Sequence, residues 1–229
     1  MKPRPPESLA QALFAWPAQA AVARVVTKSK IYDHAKPTAA TRALFVSQVE
    51  QIIWAYKLAP ESINLPAKPA VPEIQVFELA LKTPTLNYAV LRSIDRAIAF
   101  PIVFNLRFEG RTQAIAAYKR PSEAKASDWV LGDYYATAWQ ADASPRPPLP
   151  IALDMQGLYE QLLRAHLSFP TRPGEPLAGQ LLRLAQMTSK RTEADKLAAR
   201  LAQEKQFNRK VELNAQLRSI HHELDRLAT

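Results

Sequence analysis

Glu78 and Lys82 stand four residues apart in a stretch, Glu73 to Lys82, that reads as a β-strand, so their side chains share one face. A strand carboxylate that holds a divalent ion, with a lysine that steadies the attacking water or the phosphorane, is the working pair of a metal-dependent nuclease. Here the order is Glu-x-x-x-Lys, no Pro-Asp precedes it on a neighbouring strand, and Glu73 falls on the opposite face. The plainer reading is a strand-end glutamate paired with a nearby lysine or arginine. A second group is basic and aromatic. Arg107 faces the same way as Val103 and Asn105 on one hairpin strand, and Tyr118, Lys119 and Arg120 close the return strand, expected beside Phe108. Such an edge can stack a base and hold a phosphate, or simply guard a sheet edge with charge. The third group lies in the C-terminal segment, where Lys205, Arg209 and Lys210 form the densest basic cluster. They suit a nucleic-acid backbone, while Phe207, Asn208, Val211, Asn214 and Leu217 suit a protein partner.

Other chemistries are excluded by what is missing. The chain has no cysteine, which removes disulfides, thiolate nucleophiles and cysteine-ligated zinc, and fits a reducing cytoplasm. Its five glycines are far apart, so no phosphate-binding loop exists, and no Gly-x-Ser-x-Gly elbow occurs. His34, His166, His221 and His222 show no metal spacing, and adjacent His221 and His222 point to different sides of a helix. No metal and no cofactor is expected. A net charge of +9 suits a polyanion such as DNA. The start, Met1 to Ala23, imitates a secretory signal, but Glu7, Gln11 and Pro17 interrupt its apolar run. No apolar run is long enough to span a bilayer, so no membrane partner is expected.

The elements that must position these residues are an α+β domain over residues 1–150, a helix and proline-rich connector over 151–175, and a helical or coiled-coil module over 176–229. Glu7 to Ala15 reads as a short helix and Val22 to Lys36 as extended or irregular. Phe45, Val49, Ile52, Ile53 and Tyr56 fall on one helical face, with Thr38 as N-cap and Pro60 as stop. Pro60 to Pro72 reads as a loop, Leu86 to Ala99 as a helix, and Ile102 to Lys119 as a hairpin turning at Glu109-Gly110. Trp129 to Gln140 reads as a further strand, giving a mainly antiparallel sheet covered by helices. Asp154 caps a helix running to Leu167. Beyond Pro176 there is no proline and one glycine, and leucines recur at heptad spacing. The seam breaks between Glu204 and Asn208 and restarts out of phase at Leu213, so the segment either bends near Phe207 or folds back as a hairpin.

The run Ser47-x-Val49-Glu50-x-Ile52-x-Trp54-x-Tyr56-Lys57-Leu58-Ala59-Pro60-Glu61-Ser62-Ile63-Asn64 resembles the bacterial domain-of-unknown-function family 4391. So do Glu73 to Leu79, the Ile94 to Ile98 and Tyr118 to Arg120 block, and the closing stretch from Glu204 to Asn214. The resemblance implies a genetic setting with DNA methyltransferases and helicase-type ATPases in restriction or phage-defence clusters, and gives no residue a catalytic role. The expectation is a non-catalytic accessory subunit that binds a helicase or methyltransferase partner, with DNA as a further ligand. The alternatives are a PD-(D/E)xK-like nuclease around Glu78 and Lys82, and a structural protein that self-associates through its C-terminal helix.

Overall fold

The computed structural model describes residues 13–122, 129–167 and 169–228. Most of the expected helix Glu7 to Ala15, and of the signal-like start, lies outside them. The chain divides into two compact units, Met1–Ser168 and Phe169–Thr229. No helix of the described residues is long and apolar enough to cross a membrane.

The first unit is built on a seven-stranded sheet. Its strands are β1 (Ala21–Val25), β2 (Val49–Leu58), β3 (Ile74–Leu81), β4 (Ile102–Phe108), β5 (Arg111–Pro121), β6 (Trp129–Ala136) and β7 (Gln140–Ala141). Strands β1 to β6 lie side by side in chain order, and β7 pairs with β5. Helices α1 (Lys28–Ala35), α2 (Ala39–Gln48), α3 (Pro60–Ile63), α4 (Tyr88–Ala97) and α5 (Met155–His166) complete the unit. Every pairing is antiparallel except β3 with β4, which α4 links by a crossover. The unit is therefore α+β with a mainly antiparallel sheet. Ile31 of α1, Phe45 of α2 and Leu91 and Ile94 of α4 pack on Phe77, Leu79, Phe104, Leu106 and Ile115. On β3 these buried residues alternate with Glu78, which leaves Glu78 on the other face.

Thr38 caps α2 by accepting the Thr41 N–H at 3.2 Å, and Asp154 caps α5 by accepting the Gly157 N–H at 2.8 Å. The hairpin turns at Glu109 and Gly110, both at positive φ (46° and 71°), as a two-residue turn between twisted strands requires.

Several expectations fail here, among them the loop from Pro60, which opens with the short helix α3 (Pro60–Ile63). The helix expected through Tyr56 ends at Gln48, and Val49–Leu58 is strand β2. The register of β2 on β3 shifts twice, between Val49 and Gln51 and between Trp54 and Tyr56. Each bulge sets two residues against one. Buried positions Val49, Ile52, Ala55 and Leu58 thus recur every third residue, an interval that imitates a helical face. Likewise Val22 to Lys36 is extended only as far as Val25, the end of β1, and then continues into α1, which ends at Lys36 with φ 45°. Only Ile31 of α1 is buried, so no apolar period announces that helix.

The second unit is a helical hairpin, α6 (Leu177–Gln203) and α7 (Phe207–Ala228), rather than one bent helix. Ala194 and Leu197 of α6 bury against Ile220 of α7, flanked by Leu213, Leu217 and Leu224. Three buried apolar residues, at about 1.5–3 kcal/mol for each large one, make a thin seam. Arg183, 4 % exposed, reinforces it. Its guanidinium grips both Glu175 oxygens at 2.8 and 2.6 Å, donates to the carbonyls of Pro170 and Leu227 at 2.9 Å each, and lies 4.2 Å from the Phe169 ring centre. One side chain thereby closes the end of α7 onto the proline-rich segment before α6, where a cation also suits the helix C-terminus. The same contact holds the Glu175 carboxyl down at about 2.

Candidate functional site

On the sheet face away from the α1, α2 and α4 core, β3, β4 and β5 bring polar side chains together. Glu78 of β3 sits beside Asn105 of β4, and Arg107 of β4 beside Thr112 of β5. Asp142, just after β7, joins them. Arg107 reaches Glu78 at 3.7 Å and Asp142 at 3.2 Å, and the Thr112 hydroxyl donates to Asp142 at 2.6 Å. With Arg146 these residues line a cavity of about 240 Å³. The Thr112 and Arg107 hydrogen bonds hold the Asp142 carboxyl below the usual range. Glu78 is thus in the polar site but paired with Arg107, not with Lys82. The Lys82 ammonium donates to the Val46 carbonyl at 2.9 Å, at the end of α2, and is exposed. Thr112, Asp142 and Arg146 are not singled out by the sequence, and Asn105 enters there only as a neighbour of Arg107 on its strand face. The cluster joins residues more than sixty positions apart, so only the composition of β4, with polar Asn105 and Arg107 inside an apolar strand, hinted at it.

Lys119 and Arg120 do not form an open basic edge with Phe108. Phe108 pairs with Arg111 at the turn, so Tyr118 to Arg120 lie at the far end of the hairpin. Lys119 is 3 % exposed and turned inward. Its ammonium donates to the Asp95 carbonyl at 2.6 Å and to the Ile98 carbonyl, and lies 3.5 Å from the Asp95 carboxylate. Tyr134 of β6 donates to the other carboxylate oxygen. These bonds satisfy the C-terminal carbonyls of α4 and pin it to β5. Burial pushes the Asp95 carboxyl up to about 6 against the pull of Lys119, and burial lowers Lys119. A lysine so committed is withdrawn from any polyanion. Arg120 is partly buried and donates to the Pro121 carbonyl at 3.4 Å. A bulge between Ala117 and Lys119 accompanies this arrangement; the buried Tyr159 hydroxyl of α5 accepts the Lys119 N–H at 2.8 Å and donates to Ala117 at 2.7 Å.

In the second unit the elbow between α6 and α7 exposes the remaining candidates. Glu204 accepts the N–H groups of Lys205 and Gln206 at 2.8 and 2.9 Å, which starts α7 and lowers the Glu204 carboxyl. Phe207 is 77 % exposed and Val211, one turn on, 50 %. Asn214 continues that stripe, its amide donating to the Lys210 carbonyl at 2.9 Å. Asn208, Lys205, Arg209 and Lys210 are exposed around it. Leu217 differs: it packs on the α6–α7 seam and so supports the hairpin from within.

A family model described as "Domain of unknown function (DUF4391)" matches residues 14–224. The chain belongs to this family. No curated protein and no solved structure matches it. The DUF4391 span takes in both the polar cavity around Glu78 and the elbow at Phe207.

Proposed function

We propose that this DUF4391 protein is a cytoplasmic, non-catalytic accessory subunit of a bacterial DNA-modification or phage-defence complex. The start of α7 is its attachment point for a helicase-type ATPase or DNA methyltransferase. The observation that carries this reading is the Phe207–Val211 stripe. A phenylalanine left 77 % exposed at a helix start, with a valine on the same face, is apolar surface that a partner would cover. Lys205, Arg209 and Lys210 beside it suit either a carboxylate rim on that partner or the DNA backbone. Copurification with the tagged chain from its native host is the test. A helicase or methyltransferase should come out with the wild-type chain and be lost with Phe207→Ser/Val211→Ser; recovery of the chain alone would refute the reading.

A second reading, a metal-dependent nuclease, draws on one observation: Glu78 shares its cavity with a second carboxylate, Asp142, and the amide of Asn105. Lys82 has no part in it. Nicking of plasmid DNA with magnesium or manganese, abolished by Glu78→Gln, would favour this reading over the adaptor.

A further inference from the structure

Charge along α7 selects what can cover its exposed apolar stripe. Val211, Asn214 and Arg218 follow Phe207 at steps of four, three and four residues, so the four form one line along about three turns of the helix, with Lys210 beside Val211. All five are exposed. The line is turned away from Leu213, Leu217 and Leu224, which meet α6. Over those turns its charge has one sign. Lys205, Lys210 and Arg218 make no side-chain ion pair among the described residues. The acids of α7 are engaged elsewhere: Glu223 pairs with Lys190 of α6, and Glu212 faces the groove beside Arg200 and Arg209. Asp225 reaches the line only about two turns beyond Arg218 and already has a partner.

Apolar surface among unpaired cations discriminates between occupants. A DNA backbone would meet Lys205, Lys210 and Arg218 but leave Phe207 and Val211 in water. A second copy of the stripe would set cation against cation, which disfavours pairing. We propose that the stripe docks an acidic amphipathic helix of a partner protein, laid along α7. Its apolar edge covers Phe207 and Val211, and its carboxylates meet Lys205, Lys210 and Arg218. A line of side chains at helical spacing offers a ridge that another helix can pack against along its length. This rests on the attachment point proposed above and adds the chemistry of what that point holds.

Fluorescence anisotropy of the full chain tests it with three labelled probes: a synthetic helix of about twenty residues with leucines on one face and glutamates flanking them, the same helix with lysine for every glutamate, and a DNA duplex. The glutamate helix should bind saturably and about tenfold or more tighter than the lysine helix at low salt, the gap closing as salt rises. Phe207→Ser/Val211→Ser should weaken it about fivefold or more, and Lys210→Glu/Arg218→Glu should reverse the preference between the two helices. All four positions are exposed, so the variants should keep the wild-type circular dichroism. No saturable binding of the glutamate helix, equal binding of the two helices, or unchanged affinity in folded Phe207→Ser/Val211→Ser would overturn the proposal. So would duplex DNA that binds the wild type more tightly than the glutamate helix and is lost in Phe207→Ser/Val211→Ser. Copurification fails separately. A helicase or methyltransferase recovered through Phe207 and Val211, without binding of the glutamate helix, would keep the adaptor and reject this occupant; binding of the glutamate helix without such a partner would keep the occupant and reject the adaptor.

Discussion

Among single residues, Lys119 separates surface charge from structural charge most sharply. As an exposed basic residue its substitution would change stability by less than about 0.5 kcal/mol. As the buried partner of Asp95 its loss strands a carboxylate that burial already disfavours, and Lys119→Met should destabilise the first unit by about 3–5 kcal/mol. Denaturant unfolding decides between these values. Replacing both partners, in Lys119→Met/Asp95→Leu, should recover part of the loss. The same unit holds two buried groups that titrate in opposite senses. His166, whose Nδ1–H donates to the Leu162 carbonyl at 2.6 Å, is pushed down to about 4 by burial. The unfolded chain protonates it first, so its contribution is present above pH 6.5 and lost as pH falls towards 4, about 3 kcal/mol in all. Asp95 is raised to about 6, so the folded state takes its proton first. Its contribution is present below pH 3.8 and lost as pH rises towards 6, again about 3 kcal/mol. Between pH 4 and 6 the two slopes oppose each other. Unfolding of His166→Leu at pH 7 and pH 4.5 should therefore show the variant improving on the wild type as pH falls. Asp95→Asn should show the reverse trend, and a difference from wild type that is flat with pH would refute the corresponding assignment.

At the scale of elements, Arg183 is to the hairpin what Lys119 is to the sheet. The α6–α7 seam is thin, and Arg183 supplies four charge-assisted hydrogen bonds that join its open end. Arg183→Ala should cost at least about 2 kcal/mol and lower amide exchange protection in the last turns of α7. Unchanged protection there would show that the apolar seam suffices. Nothing in the sequence marks Arg183, because a basic residue on a basic helix announces nothing; its role comes from Glu175, Pro170 and Leu227, which the fold delivers. What could be read directly was local. Strand β3 showed its alternation, the β4–β5 hairpin its Glu-Gly turn, α5 its Asp154 cap, and the elbow its break in the leucine seam. Strand β2 reads as a helix because its two bulges turn a period of two into one of three, although its Val, Ile, Trp and Tyr content is that of a strand. The cavity was half legible for a related reason. Glu78 and Arg107 could be named separately, but Asp142 reaches them only through the pairing of β7 with β5.

For the whole molecule, the net charge of +9 is less concentrated than it first looks. Residues 169–229 carry eleven Lys and Arg against seven Asp and Glu, and several of these pair within the hairpin, as Lys190 does with Glu223 at 2.8 Å. In the first unit Lys119 is buried and Arg107 is shared between two carboxylates. Cations paired in this way contribute less to neutralising phosphates, and affinity for DNA falls with salt in proportion to the phosphates neutralised. Retardation of duplex DNA should accordingly be weak, independent of sequence and lost near physiological salt, with Lys205→Glu/Arg209→Glu/Lys210→Glu removing what there is. A chain ending at Ser168 separates this activity from folding. It keeps Asp95, Lys119, Tyr134 and His166, and with them the sheet and its helical cover, so it should still unfold cooperatively with the pH behaviour described for those groups. It lacks the elbow, so it should lose both the partner and the residual DNA binding. Light scattering adds a further discrimination. The leucine seam available for pairing two copies is already occupied within one hairpin, so the full chain and the shortened one should both be monomers. A dimer that disappears on truncation would instead assign the Phe207–Val211 stripe to a second copy of the chain, and the adaptor reading would give way to self-association.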